Sequence, residues 1–86
     1  MVELAELREK VDAIDDQILR DLVQRAKVCQ AIGELKKQKG KPVQDLQREV
    51  EVFKRSRERA EMLKLDPNHI ERIFREIVNM CSAVQE

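Results

Sequence analysis

Eighty-six residues, of which 40% are charged and only two are aromatic, two glycine and two proline, leave room for one small domain and favour helices throughout. Seventeen basic side chains balance seventeen acidic ones, so no charge excess points to nucleic acid or to an anionic membrane as partner. The opening Met-Val-Glu-Leu-Ala-Glu-Leu-Arg has no basic region followed by an apolar one, and no run approaches the roughly 18 apolar residues of a membrane span, which predicts a soluble, cytosolic chain.

The first predicted helix runs from Leu4 to Lys39. Apolar residues recur at Leu7, Val11, Ile14, Ile18, Leu22, Cys29 and Ile32, the spacing of one helical face. Arg25 and Lys36 fall on the axis of that same face. They lie within about 20° of each other around the helix and roughly 16 Å apart along it, so their long side chains can converge on one small anion. A lone cation beside such a stripe usually snorkels, burying its stem and keeping its head in water. Two cations on its axis are harder to leave unpaired, because a buried unpaired charge is costly. An anionic ligand therefore stands beside snorkelling as the alternative. Gly33 costs the helix about 1 kcal/mol relative to Ala, which close approach by another helix or a ligand would explain. Gly40 and Pro42 end the helix, one as a left-handed cap and the other by forbidding continuation.

A second helix starts at Asp45, a good N-cap, and carries Leu46, Val50, Phe53 and Ala60 on one face. Its outer face from Lys54 to Glu61 mixes Arg and Glu and reads as solvated and ion-paired. Asp66-Pro67 is the N-cap and first-turn proline of a third helix, with Ile70, Ile73, Phe74, Ile77, Cys81 and Val84 turned inward. His69 in its first turn reads as a surface residue. Cys29 and Cys81 lie in helical stripes without CxxC spacing or a nearby His, and read as reduced core residues rather than a disulfide or a metal pair. No metal site is expected.

Length then raises a problem. A 36-residue helix is about 54 Å long, whereas a compact chain of this size is roughly 30 Å across. The first stripe must overhang its own domain. A second copy, with the long helices antiparallel about a two-fold axis, is the simplest closed cover.

Polar residues beside the apolar faces complete the pattern: Arg8 flanks the first stripe, Glu49 the second and Gln85 the third. The run Leu-Arg-Glu-Lys-Val-Asp-Ala-Ile-Asp at 7–15, then Arg25, Lys36, the Pro-Val-x-Asp-x-x-Arg-Glu run from Pro42 to Glu49, and Ile-Phe followed by Gln85 eleven residues after Phe74 resemble the all-helical class of chorismate mutases. The likeness covers nearly the whole chain. It implies an all-α, intertwined homodimer of three-helix chains with two active sites, each built from both chains. The implied reaction is the cofactor-free Claisen rearrangement of chorismate to prephenate. Carried over residue by residue, Arg25, Arg48 and Lys36 of one chain and Arg8 of the other hold the substrate's carboxylates. Lys36 and Gln85 hydrogen-bond the ether oxygen, and Glu49, with the backbone at Asp45, takes the ring hydroxyl. Cys81 stands where the best-known bacterial relatives carry serine, and a thiol is a poorer donor, so it is carried over only as a pocket neighbour.

Each of these residues also has a plainer reading. Asp45 can be only an N-cap, Glu49 can serve the helix dipole, Arg48 can be surface, and Gln85 can be a frayed end. Two other functions compete. An isochorismate-pyruvate lyase looks similar, although Asp45-x-x-Arg48-Glu49 favours the mutase, which needs a carboxylate for a hydroxyl. A non-catalytic dimerisation or regulatory module would need the stripes without needing Arg25, Lys36 and Gln85 together.

Overall fold

Helix α1 spans Leu4–Gln38, α2 spans Leu46–Met62 and α3 spans Pro67–Gln85, and the computed structural model describes residues 2–86, among which there is no strand. The boundaries follow local chemistry. Asp45 Oδ1 accepts from the Arg48 amide at 3.0 Å and Asp66 Oδ1 from the Asn68 amide at 2.8 Å, each satisfying a donor that the helix start leaves open. At the end of α1, Gly40 takes φ 67°, while Lys41 N donates to Lys36 O at 2.8 Å and Gly40 N to Lys37 O at 3.2 Å, the paired bonds of a Schellman cap. The end of α2 repeats that cap without a glycine. Lys64 sits at φ 61°, with Leu65 N donating to Ala60 O at 2.8 Å and Lys64 N to Glu61 O at 3.2 Å.

α3 packs against both other helices, which do not pack on each other. The molecule measures 59 × 24 × 15 Å with a radius of gyration of 16.2 Å, against about 12 Å for a compact chain of this length. α1 causes the excess. Its first half lies beyond α3, and Leu7, Val11, Ile14 and Ile18 are between 48% and 60% exposed.

Two expected inward faces are only partly covered. Leu46 and Val50 of α2 are exposed, whereas Ala60 is buried and Phe53 half-buried as expected, with Ser56 buried and Val52 half-buried beside them. With α1 out of reach, only the flank of α2 that faces α3 is covered. Ile73 of α3 is exposed as well. Phe53 gains a polar lid, the Arg75 guanidinium 4.5 Å above its ring, and Glu71 holds Arg75 at 3.2 Å and Arg57 at 3.6 Å across the α2–α3 surface. His69 is exposed, as expected.

The seam between α1 and α3 runs parallel, four residues advancing on each helix together. Cys29 meets Cys81, and one turn on Gly33 meets Gln85. A Cβ on Gly33 would lie 2.9 Å from Gln85 Cα and 3.0 Å from its Cβ, so the two backbones touch where only glycine leaves room. The cysteines correct the sequence reading. They form a disulfide rather than two free core thiols, with Cα atoms 5.4 Å apart, inside the range such bridges use. Their stripes face each other, which spacing within either helix does not reveal.

Candidate active site

Three chain segments converge where α1 ends, α2 begins and α3 ends. α1 supplies Arg25 and Lys36, α2 supplies Asp45, Arg48 and Glu49, and α3 supplies Cys81 and Gln85, around a cleft of about 70 Å³. Lys36 is its centre. Its Nζ donates to Val43 O at 2.6 Å and to Gln85 Oε1 at 2.8 Å, tying the α1–α2 loop and the last turn of α3 to one cation. Gln85 is buried despite standing one residue from the end of the sequence. Its Oε1 accepts from Lys36, so its Nε2 remains as donor and reaches Cys81 Sγ at 3.0 Å. Sulfur is a weak acceptor, and that donor is easily redirected.

Electrostatics favour an incoming anion. Arg25 is half-buried, and burial first, then the Arg48 guanidinium, lowers its pKa from the ordinary arginine value. An arginine keeps its proton under these conditions, so the shift reports a cation that is short of negative company. Among the described residues its Nη1 finds only Cys29 Sγ, at 3.7 Å. Glu49 adds the opposite need: its Oε2 is buried without a hydrogen-bond partner among the described residues, an acceptor aimed at a donor the chain does not provide.

The structure thus gathers every residue singled out from the sequence except Arg8. Asp45 is both N-cap and cleft lining. Arg48 stays exposed, paired with Glu51 at 3.2 Å. Arg8 is exposed on the overhanging half of α1, about 25 Å along the helix from Arg25. Sequence reasoning missed the carbonyl of Val43, which carries no side-chain signal, and the Cys29–Cys81 bridge; Ser82 also lines the cleft. A larger groove of about 620 Å³ opens beside it, sharing Arg25 and Arg48 and floored by Val52, Ala60, Ile70 and Phe74.

The profile of chorismate mutase type II matches residues 7–86. The chain belongs to the type II chorismate mutase family. It is 33% identical over 83 residues to the chorismate mutase of Methanocaldococcus jannaschii, covering 96% of this chain and 84% of that one. It is 36% identical over 95 aligned positions to the bifunctional chorismate mutase/prephenate dehydratase of Aquifex aeolicus, covering all of this chain and 25% of that protein. It is 35% identical over 82 residues to the 3-dehydroquinate dehydratase of Pyrobaculum aerophilum, covering 95% of this chain and 24% of that protein. The chain therefore spans about a quarter of the two longer relatives. The type II match includes Arg8 as well as the cleft residues, although the single chain holds them far apart. No helix among the described residues is long and apolar enough to cross a membrane.

Proposed function

We propose that the chain converts chorismate to prephenate as a homodimer, each cleft being completed by Arg8 of the second copy. The observation that carries this reading is the pairing of Lys36 with Gln85 at 2.8 Å beside the unpartnered Glu49 Oε2. It joins two donors for a developing negative charge to an acceptor for a hydroxyl. The rearrangement breaks a carbon–oxygen bond and forms a carbon–carbon bond within one molecule, with no proton or electron exchanged. Negative charge gathers on the ether oxygen as its bond lengthens. Lys36 Nζ and Gln85 Nε2 stabilise that charge without moving far, while Arg25 and Arg48 hold carboxylates and Glu49, near the Asp45 backbone, takes the ring hydroxyl. A 10⁶-fold acceleration needs about 8 kcal/mol. Two preorganised donors at roughly 3 kcal/mol each, with an entropic contribution from fixing the reactive conformer, reach it.

Size supports the second copy. The cleft, about 70 Å³, is far below the roughly 300–1,000 Å³ of ordinary ligand sites, so part of the substrate's cover must come from elsewhere. The exposed Leu7-to-Ile18 face needs cover, and the apolar-floored groove beside the cleft can supply it. An antiparallel α1 laid there would carry Arg8 toward Arg25. We place the reaction in the cytoplasm on the strength of the mixed, heavily charged composition; the Cys29–Cys81 bridge argues the other way, since reducing compartments keep thiols free.

Loss of chorismate absorbance, run in parallel with isochorismate, tests the activity. Chorismate should disappear with prephenate as product and no pyruvate. Pyruvate release from isochorismate with chorismate untouched would transfer the chain to the lyase reading, and inertness toward both would favour a non-catalytic module.

A further inference from the structure

We propose that the Cys29–Cys81 disulfide is a redox-dependent positioning element for Gln85, so that the bridged enzyme is the fast form and the opened one slow. This rests on the reading that Gln85 donates to the ether oxygen. Three observations converge on it. The bridge lies one helical turn before the Gly33–Gln85 contact on both helices. That contact has no slack, since a Cβ on Gly33 would stand 2.9 Å from Gln85 Cα. The Gln85 Nε2 donor rests on the bridge itself, at 3.0 Å from Cys81 Sγ. Opening the bond sends the two sulfurs from bonding distance to van der Waals contact, an outward shift of roughly 1.5 Å. The seam absorbs it either by parting the helices or by turning a cysteine side chain, and both disturb the support under Gln85.

The surroundings also make the bridge chemically responsive. Cys81 lines the open cleft, whereas Cys29 is only 4% exposed, so an entering dithiol meets Cys81 first. Its thiolate attacks Cys81 Sγ, the disulfide bond breaks, and Cys29 leaves as a thiolate 3.7 Å from the Arg25 guanidinium, a cation that favours the leaving group. The second thiol of the reductant then displaces Cys81. Two electrons and two protons pass from the dithiol to the cysteines, and the dithiol becomes a cyclic disulfide.

The full chain would be oxidised with glutathione disulfide until no thiol titrates, then opened with dithiothreitol until two thiols titrate, with chorismate turnover followed at each stage. On opening, kcat should fall about 10- to 100-fold, the cost of displacing a reacting group by about 1 Å, with KM changing far less and kcat returning on reoxidation. Cys29→Ser, which cannot form the bridge, should be slow at once and indifferent to dithiothreitol, with its helical circular dichroism retained. Equal kcat in the two forms, equal kcat in Cys29→Ser, or a chain that never reaches zero thiols would overturn the proposal. Gln85→Ala separates the two layers: if it turns over like the parent, the site assignment itself fails, and if it is slow while opening the bridge changes nothing, only the redox role fails.

Discussion

The two halves of α1 share one apolar repeat and differ in what interrupts it. From Leu22 to Lys36 the helix lies along α3, and its inward face is broken by Arg25, Gly33 and Lys36. From Leu7 to Ile18 it lies along nothing else among the described residues, and its face is unbroken and exposed. A cation on a covered stripe needs acceptors or an anion, and a glycine there needs a neighbour close enough to exclude a side chain. An unbroken exposed stripe needs only apolar cover, which the proposed second copy would supply. The first half thus reads as interface and the second as site.

The sharpest way to break that contrast is at the site end. Lys36→Met removes a central donor and should lower kcat by about 10²- to 10³-fold, as loss of a preorganised donor does. Its denaturant midpoint should fall only by what the two hydrogen bonds from Lys36 Nζ to Val43 O and Gln85 Oε1 contribute, about 1 kcal/mol each, with the helices retained. Retained turnover with a midpoint lowered further than that would make Lys36 structural. At the interface end, Ile14→Asp should cut activity at least about tenfold in dilute solution and recover as protein concentration rises, the mass-action signature of a weakened dimer. Activity independent of concentration would remove the stripe from any assembly.

A smaller effect tests Gln85 as a donor. The parent's amide donates at every ordinary pH, so this contact should leave activity flat from about pH 5 to pH 8. Gln85→Glu donates only while protonated, and Lys36 at 2.8 Å from the native oxygen favours the ionised form, lowering that carboxyl's pKa while burial opposes it. Activity should therefore be low near pH 8 and rise toward about pH 5, because only the protonated form donates. A variant matching the parent at both ends would move Gln85 away from the reacting centre. Smallest is Lys64→Gly, which relieves a left-handed non-glycine residue at φ 61° and, after glycine's own entropic cost, should raise stability by about 0.5 kcal/mol in thermal unfolding.

Much of this was legible in the chain because its signals are local. Asp45, Gly40 and Asp66-Pro67 place helix ends within a residue or two, and the α1 stripe names Arg25 and Lys36 without any tertiary knowledge. Facts about pairing were not legible. Periodicity says that α2 has an apolar face but not that α1 stays away from Leu46 and Val50. Two cysteines with a sequence separation of 52 give no sign that their stripes meet. The cap at Lys64 lacks the glycine that would announce it, and Lys36 closes the loop through a carbonyl that no side chain marks. Gln85 drew its role from the family likeness alone, and its burial depends on Gly33, more than fifty residues away.

Subunit complementation tests the shared site most directly. Arg8→Ala and Arg25→Ala proteins should each fold, dimerise and turn over at least about 100-fold more slowly than the parent. Mixed one to one under conditions where subunits exchange, half the dimers are hybrids, and each hybrid has one site with both arginines and one with neither. Activity should return to about one quarter of the parent's per chain. Demonstrated exchange with no recovery would contradict a cleft completed by the second copy.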